Sequence, residues 1–258
     1  MTLLQVRGLS KRFGGNMAVD GVSFDLASGE LLALIGPNGA GKSTTFNMLG
    51  GQLPATSGSV HFDGRDLLGV PSRRIAHMGV GRTFQIAATF ASLTVLENVQ
   101  MALLSHHRQV YAFWRPAARY YEDEAMALLT DVGMQAQAAR PCSELAYGDV
   151  KRVELAMSLV GAPRLLLMDE PTAGMAPAER NALIALVKQL VVGRSMAVLF
   201  TEHSMDVVFA YADRIIVLAR GKVIAEGNAH DVRANAEVQA VYFGSGKTFE
   251  DGMARGAQ

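Results

Sequence analysis

One stretch constrains this chain more than any other: Gly36-Pro37-Asn38-Gly39-Ala40-Gly41-Lys42-Ser43-Thr44. It fits G-x-x-x-x-G-K-[ST], the phosphate-binding P-loop pattern. The pattern needs a strand before it and a helix after it. Both are present as expectations, in the apolar run Leu31–Ile35 and in a helix over Lys42–Leu49. Glycines let backbone N–H groups turn inward and approach phosphate oxygens. The helix start adds partial positive charge at the same place. Lys42 then reaches the β- and γ-phosphates of a nucleotide as a point charge, and the Ser43 hydroxyl can ligate Mg²⁺. A chain built around this element is α/β.

The rest of the chain follows that prediction. Strands are expected at Leu3–Leu9, Val22–Leu26 and Gly58–Phe62, with turns at Gly14-Gly15-Asn16, Ser28-Gly29 and Gly64. From about Ile86 to Val160 no strand is evident. Thr94-x-x-Glu97 is a capping box that starts a helix, and an amphipathic pattern covers Ala118–Val132. Strand–helix alternation then resumes with strand Leu165–Asp169, helix Pro177–Val191, strand Ala197–Thr201 and helix Met205–Tyr211. Short strands Arg214–Leu218 and Lys222–Glu226 flank Arg220-Gly221. This divides the chain into an α/β core over 1–85 and 162–244, a helical subdomain over 86–161, and a loose polar tail over 245–258.

Composition narrows the function classes. With 50% hydrophobic and 19% charged residues over 258 positions, the chain buries a core rather than remaining disordered. Lys+Arg and Asp+Glu balance at 24 each, which argues against wrapping nucleic acid. A lone cysteine, Cys142, excludes an internal disulfide. No apolar run approaches the ~20 residues of a membrane-spanning helix, and Met1–Arg12 has no signal-peptide core. The mean hydropathy of +0.18 fits a large buried sheet, or a subunit that docks on an apolar partner.

Leu165-Leu166-Leu167-Met168-Asp169-Glu170 is an apolar strand ending in two carboxylates, the pattern of a Walker B segment. Asp169 would hold Mg²⁺ and Glu170 would polarise the attacking water. With these elements in place the chain resembles the ATP-binding subunit of ABC transporters over nearly its whole length. That implies a P-loop NTPase core, an N-terminal antiparallel β subdomain and an inserted α-helical subdomain. Gln85 matches the Q-loop and Mg²⁺-binding amide. Leu145-Ala146-Tyr147-Gly148 falls at the signature that meets the partner's ATP. His203 matches the switch histidine, a catalytic role shared with Glu170, Gln85 and Lys42. Phe13 stands where an aromatic ring stacks on adenine. ATP and Mg²⁺ are the implied ligands, bound in a head-to-tail dimer.

Several features depart from the family pattern. Ala146 replaces the usual signature Ser, and Asp149 replaces Gln. Ala176 stands where the D-loop usually has a polar residue. The expectation is a fully active site at this chain's own P-loop and a weaker one opposite. Arg82-Thr83-Phe84-Gln85, Thr201-Glu202-His203-Ser204-Met205 and Val241-Tyr242-Phe243-Gly244 resemble the branched-chain amino acid importer type. So does the aromatic-rich length between Val99 and Asp123. That resemblance implies two transmembrane permease subunits, a second ATPase and a periplasmic binding protein at the inner face of a bacterial inner membrane. Urea or short-amide importers and a lipopolysaccharide exporter are the nearer alternatives. A soluble ABC-type ATPase is the alternative of another class, and its usual second cassette or coiled coil is missing. Ile86–Leu93 is a candidate docking segment for a permease. His106-His107 lacks metal-ligand spacing, and Arg73-Arg74 reads as a solvated face.

Overall fold

Alternation along the first strands and unbroken apolar runs along the later ones sort this chain into two different sheets. The computed structural model describes residues 2–83, 89–107 and 121–243. In the first sheet, β1 (Thr2–Phe13), β2 (Asn16–Ala27), β4 (Ser57–Phe62) and β5 (Arg65–Asp66) pair in the order β2-β1-β4-β5. All of these pairings are antiparallel. Leu4, Val6 and Leu9 point inward while Gln5 and Arg7 face out, as a half-buried strand requires. Both β1 and β2 run longer than expected. Phe13 pairs with Asn16 across a tight turn, so the hairpin continues through polar residues that carry no apolar signal.

The second sheet has the order β10-β9-β3-β8-β7-β6. Its members are β3 (Leu31–Ile35), β6 (Val80–Arg82), β7 (Leu165–Asp169), β8 (Ala197–Thr201), β9 (Arg214–Ala219) and β10 (Lys222–Gly227). All pairs are parallel except β9 with β10. Every residue of β3, β7 and β8 is buried, because both faces of this sheet are covered. On one face Leu32, Leu34, Leu165, Leu167 and Leu199 meet the first sheet and Phe46, Met48 and Leu49 of α1 (Lys42–Leu49). The opposite face presents Ile35, Leu166, Met168, Val198 and Phe200 to the helices that follow. Helix α1 is thus held between two sheets, with its first turn at the end of the central strand β3.

The short strand β6 and helix α2 (Ser72–His77) were not legible as elements; only Ile75 of α2 is buried, and Arg73 and Arg74 are exposed. Between β6 and β7 in the chain come α3 (Val95–His106), α4 (Glu122–Asp131) and α5 (Tyr147–Ser158). The α3 capping box is complete: Glu97 N donates to Thr94 Oγ1 at 3.2 Å and Thr94 N donates to Glu97 Oε2 at 2.8 Å. Helix α4 starts at Glu122, after Tyr121 in a left-handed conformation; the earlier part of the expected pattern, residues 118–120, lies outside the described residues. After β7 come α6 (Pro177–Arg194), α7 (Met205–Tyr211), α8 (Ala229–Ala234) and α9 (Ala236–Phe243), the last two unforeseen. Among the described residues no helix is long and apolar enough to cross a membrane.

Candidate nucleotide site

Parallel strands that end at the same edge of a sheet bring their following loops together. Here the loops after β3, β7 and β8 meet. The loop after β3 is the P-loop. Gly36 has φ 152, and a Cβ there would stand 2.2 Å from the Leu218 carbonyl oxygen. Gly41 has φ 105, and a Cβ there would stand 2.6 Å from the Ala18 carbonyl oxygen. Only glycine fits either position, so the loop can wrap tightly and turn its N–H groups inward.

Asn16, Ala18, the run Asn38 to Thr44, and Glu170 line a cleft of about 310 Å³. Lys42 is buried within it, and its Nζ donates to the carbonyls of Gly36 at 2.7 Å and Pro37 at 3.2 Å. Burial pushes the Lys42 ammonium below its ordinary range, while the charges of Glu170 and Asp169 oppose that. A cation hydrogen-bonded to neutral carbonyls, at the mouth of a backbone cradle, fits a phosphate. The carboxylate of Asp169 and the hydroxyl of Ser43 are hard oxygen donors of the kind Mg²⁺ takes.

The loops after β7 and β8 supply the acidic side. His203 Nε2 and Glu170 Oε1 are 2.8 Å apart. Glu170 is partly buried and His203 about half exposed, so the pair sits at the rim, where water can enter. Glu170 has φ 49, a conformation that costs a non-glycine residue on the order of 1–3 kcal/mol. Phe13 is 47% exposed at the tip of the β1–β2 hairpin, with the Lys11 ammonium 5.1 Å from its ring centroid. Its strand neighbours Asn16 and Ala18 reach the cleft. Gln85 lies outside the described residues, as do Ile86 to Ala88 of the candidate docking segment and the aromatic-rich stretch 108–120. The exposed Phe90 of that segment is tied to α3, its N–H donating to Asn98 Oδ1 at 2.7 Å.

Comparison with known proteins agrees with this geometry. The sequence profile described as ABC transporter matches residues 19–173, more than half the chain. The chain belongs to the ABC transporter family. Membership makes it an ATP-binding subunit that hydrolyses ATP to power transport. A second profile, described as branched-chain amino acid ATP-binding cassette transporter, matches residues 222–248. The high-affinity branched-chain amino acid transport ATP-binding protein LivG of Salmonella typhimurium is 40% identical over 252 residues, covering 94% of this chain and 98% of its own. BraF of Pseudomonas aeruginosa, of the same description, is 38% identical over 252 residues with the same coverage. Among solved structures, the ADP conformation of an ATP-binding cassette of an ABC transporter superposes with a TM-score of 0.86 at 31% identity, covering 95% of this chain and all of that one. A nucleotide-free cassette reaches 0.85, also at 31%.

Leu145 to Gly148, the expected signature segment, lie at the start of α5. Ala146 is the helix N-cap and supplies no side-chain bond. The Tyr147 hydroxyl donates to the Ala173 carbonyl at 3.2 Å, and its ring lies over Gly174. Gly148 is buried against Glu179 and Met175, where a Cβ would come within 3.0 Å of Glu179 Oε1. The start of α5 is therefore braced on Ala173 and Gly174 and on Met175 and Glu179. Ala176 donates its N–H to Glu179 Oε2 at 3.2 Å and offers no polar side chain in return.

Several functional neighbours escaped the sequence reading. Thr172, Thr201 and Glu202 join the loops around Glu170 and His203. The Arg180 guanidinium on α6 bonds the Ser204 hydroxyl next to His203. Tyr242 of α9 is partly buried beside the Gly36 backbone; burial raises its phenol, and a bond with that backbone opposes the rise. Thr201 and Glu202 stand in the run that carries His203, but nothing in that run shows that they bond the loop after β7.

Proposed function

We propose that this chain is the ATP-hydrolysing subunit of an importer for branched-chain or other hydrophobic amino acids. The observation that carries the hydrolytic part is the 2.8 Å Glu170–His203 pair at the rim of the P-loop cleft. Lys42 and the backbone of Gly36 to Thr44 bind the phosphates. Glu170 accepts a proton from the attacking water, and His203 holds that carboxylate toward the cleft. Ser43, Asp169 and Gln85 are the residues that would hold Mg²⁺, and the ion would supply positive charge against the phosphates. Phe13 offers its exposed ring to adenine. The substrate class rests on the printed names of LivG and BraF and on the profile over residues 222–248.

The partners in this reading are two transmembrane permeases, a second ATPase related head to tail, and a periplasmic binding protein reached only through the permeases. The place of work is the cytoplasmic face of the inner membrane. Leu145, Ala146, Tyr147 and Gly148 would close on the partner's ATP through the α5 N-terminus. The working division is an α/β core over 1–85 and 162–244, a helical subdomain over 86–161 and a tail over 245–258.

Purification of the tagged chain from native membranes in mild detergent tests the assembly. Two permeases and a second ATPase should copurify, and uptake of labelled leucine by the reconstituted complex should need ATP. Recovery of the chain alone, or uptake of urea in place of leucine, would overturn the proposal.

A further inference from the structure

Two consecutive residues at the end of β8 hold the turn that carries Glu170. The Glu170 N–H donates to Thr201 Oγ1 at 3.0 Å, and that hydroxyl donates to Asp169 Oδ1 at 2.7 Å. On the far side of Glu170, both the N–H and the hydroxyl of Thr172 donate to Glu202 Oε1, at 3.0 and 2.6 Å. The other oxygen of the same carboxylate accepts from the His203 N–H at 3.2 Å. Thr201 is fully buried, Thr172 is 1% exposed and Glu202 3%.

We infer that Thr201 and Glu202 are positioning residues for hydrolysis, clamping the Asp169–Thr172 turn to the switch loop so that Glu170 faces His203. The inference rests on the reading of Glu170 as the group that polarises water. Glu170 has φ 49, a left-handed conformation that a non-glycine residue keeps only where its surroundings over-determine it. The clamp supplies that determination, with one bond to the N–H of the strained residue itself and one to the N–H of Thr172, two residues beyond it. Through one carboxylate it also ties Thr172, two residues past Glu170, to the backbone of His203, so the two loops that carry the Glu170–His203 pair are held to each other by buried bonds. Apolar residues would fill this space without the desolvation cost of a buried carboxylate, and three donors offset that cost here.

The test uses the assembled, detergent-solubilised transporter. Thr201→Val keeps the shape and removes the hydroxyl; Glu202→Gln puts a donor where an acceptor for Thr172 or His203 is needed. Misplacement of a reacting group by ~1 Å costs up to about a hundredfold in rate. Each variant should therefore lower kcat for ATP by about tenfold or more, with KM for ATP within about twofold. Thr201→Ser should restore most of the rate. Unchanged kcat in Thr201→Val, or a raised KM at normal kcat, would overturn the clamp. So would a rate loss no larger than the loss of folded protein measured by melting temperature. If Thr201→Val fails to fold, Thr172→Val removes only the 2.6 Å bond and should still lower kcat measurably at unchanged KM. Glu170→Gln run alongside separates the two readings. Full turnover in Glu170→Gln overturns the role of Glu170 itself, whereas lost turnover there with normal turnover in Thr201→Val and Glu202→Gln overturns only the clamp.

Discussion

The P-loop cleft and the signature face are built from the same kind of parts and finished to different degrees. At the cleft, polar groups find partners within the chain: Lys42 on two carbonyls, Glu170 on His203, Glu202 on three donors. The fully buried strands β3, β7 and β8 lie directly beneath. At the signature face, Ala146 leaves the α5 N-terminus without a side-chain cap, and Tyr147 is 46% exposed. One half is preorganised; the other is an open helix end braced on Ala173 and Gly174. A helix end of that kind can accept an anion, and the comparison teaches that the chain completes the cleft from its own residues and leaves the start of α5 open.

Removing support beneath the cleft should have the largest effect. Phe200 of β8 is fully buried, and Phe200→Ala should cost about 3–5 kcal/mol, read as a lowered denaturation midpoint. Next comes Glu170→Gln, for which turnover should fall about a hundredfold, roughly 2.7 kcal/mol of barrier, while nucleotide binding by the isolated chain persists. If the isolated chain lost binding as well, the cleft would not be the preorganised half.

Changes at the signature face should be smaller and should read out only in the assembly. Ala146→Ser supplies the missing cap and should stabilise α5 by ~1 kcal/mol in chemical denaturation. It should also raise hydrolysis at the site opposite, if the alanine is what weakens that site. Tyr147→Phe loses one exposed bond and should cost about 0.5–1 kcal/mol at most. Its effect on turnover should be visible in the complex and missing from nucleotide binding by the single chain.

The smallest effect is a pH dependence at neither site. His106 lies between His77, tilted against it, and His107, edge-on to it, with ring centroids 5.5 and 5.2 Å away. Burial first, then the charges of His107 and His77, push its imidazole below the ordinary 6.5, against the pull of Glu124. The folded state therefore resists the proton that the unfolded chain accepts. Stability should be lost as pH falls from 6.5 toward the lower folded value. His106→Gln should flatten that slope in melting curves between pH 7 and 5, with turnover at pH 7 unaltered.

Much of the fold was legible because its signals are local. The P-loop needs a strand, glycines and a helix in sequence, and the residues of Leu31 to Leu49 provide all of them. The capping box at Thr94 and Glu97 is complete within one helical turn. Elements without a local signal were missed: β6 is held by pairing with β7, and α2 buries one residue. The cleft followed the same rule. Lys42, Asp169, Glu170 and His203 each have a role that their run suggests, whereas Thr201 and Glu202, in the same run as His203, acquire theirs only from partners about thirty residues away in sequence.

By itself the sequence determined the chemistry on offer: a phosphate cradle, two carboxylates at a strand end, a histidine after the next strand, and a signature with alanine and aspartate in place of serine and glutamine. Those depend on residue type and short spacing. Tertiary structure alone decided that the strands end at one edge, that Glu170 is held in a left-handed conformation facing His203, and that the start of α5 leans on Ala173 through Tyr147. These contacts join segments far apart in the chain, and their geometry is set by how two sheets and the packed helices share one core.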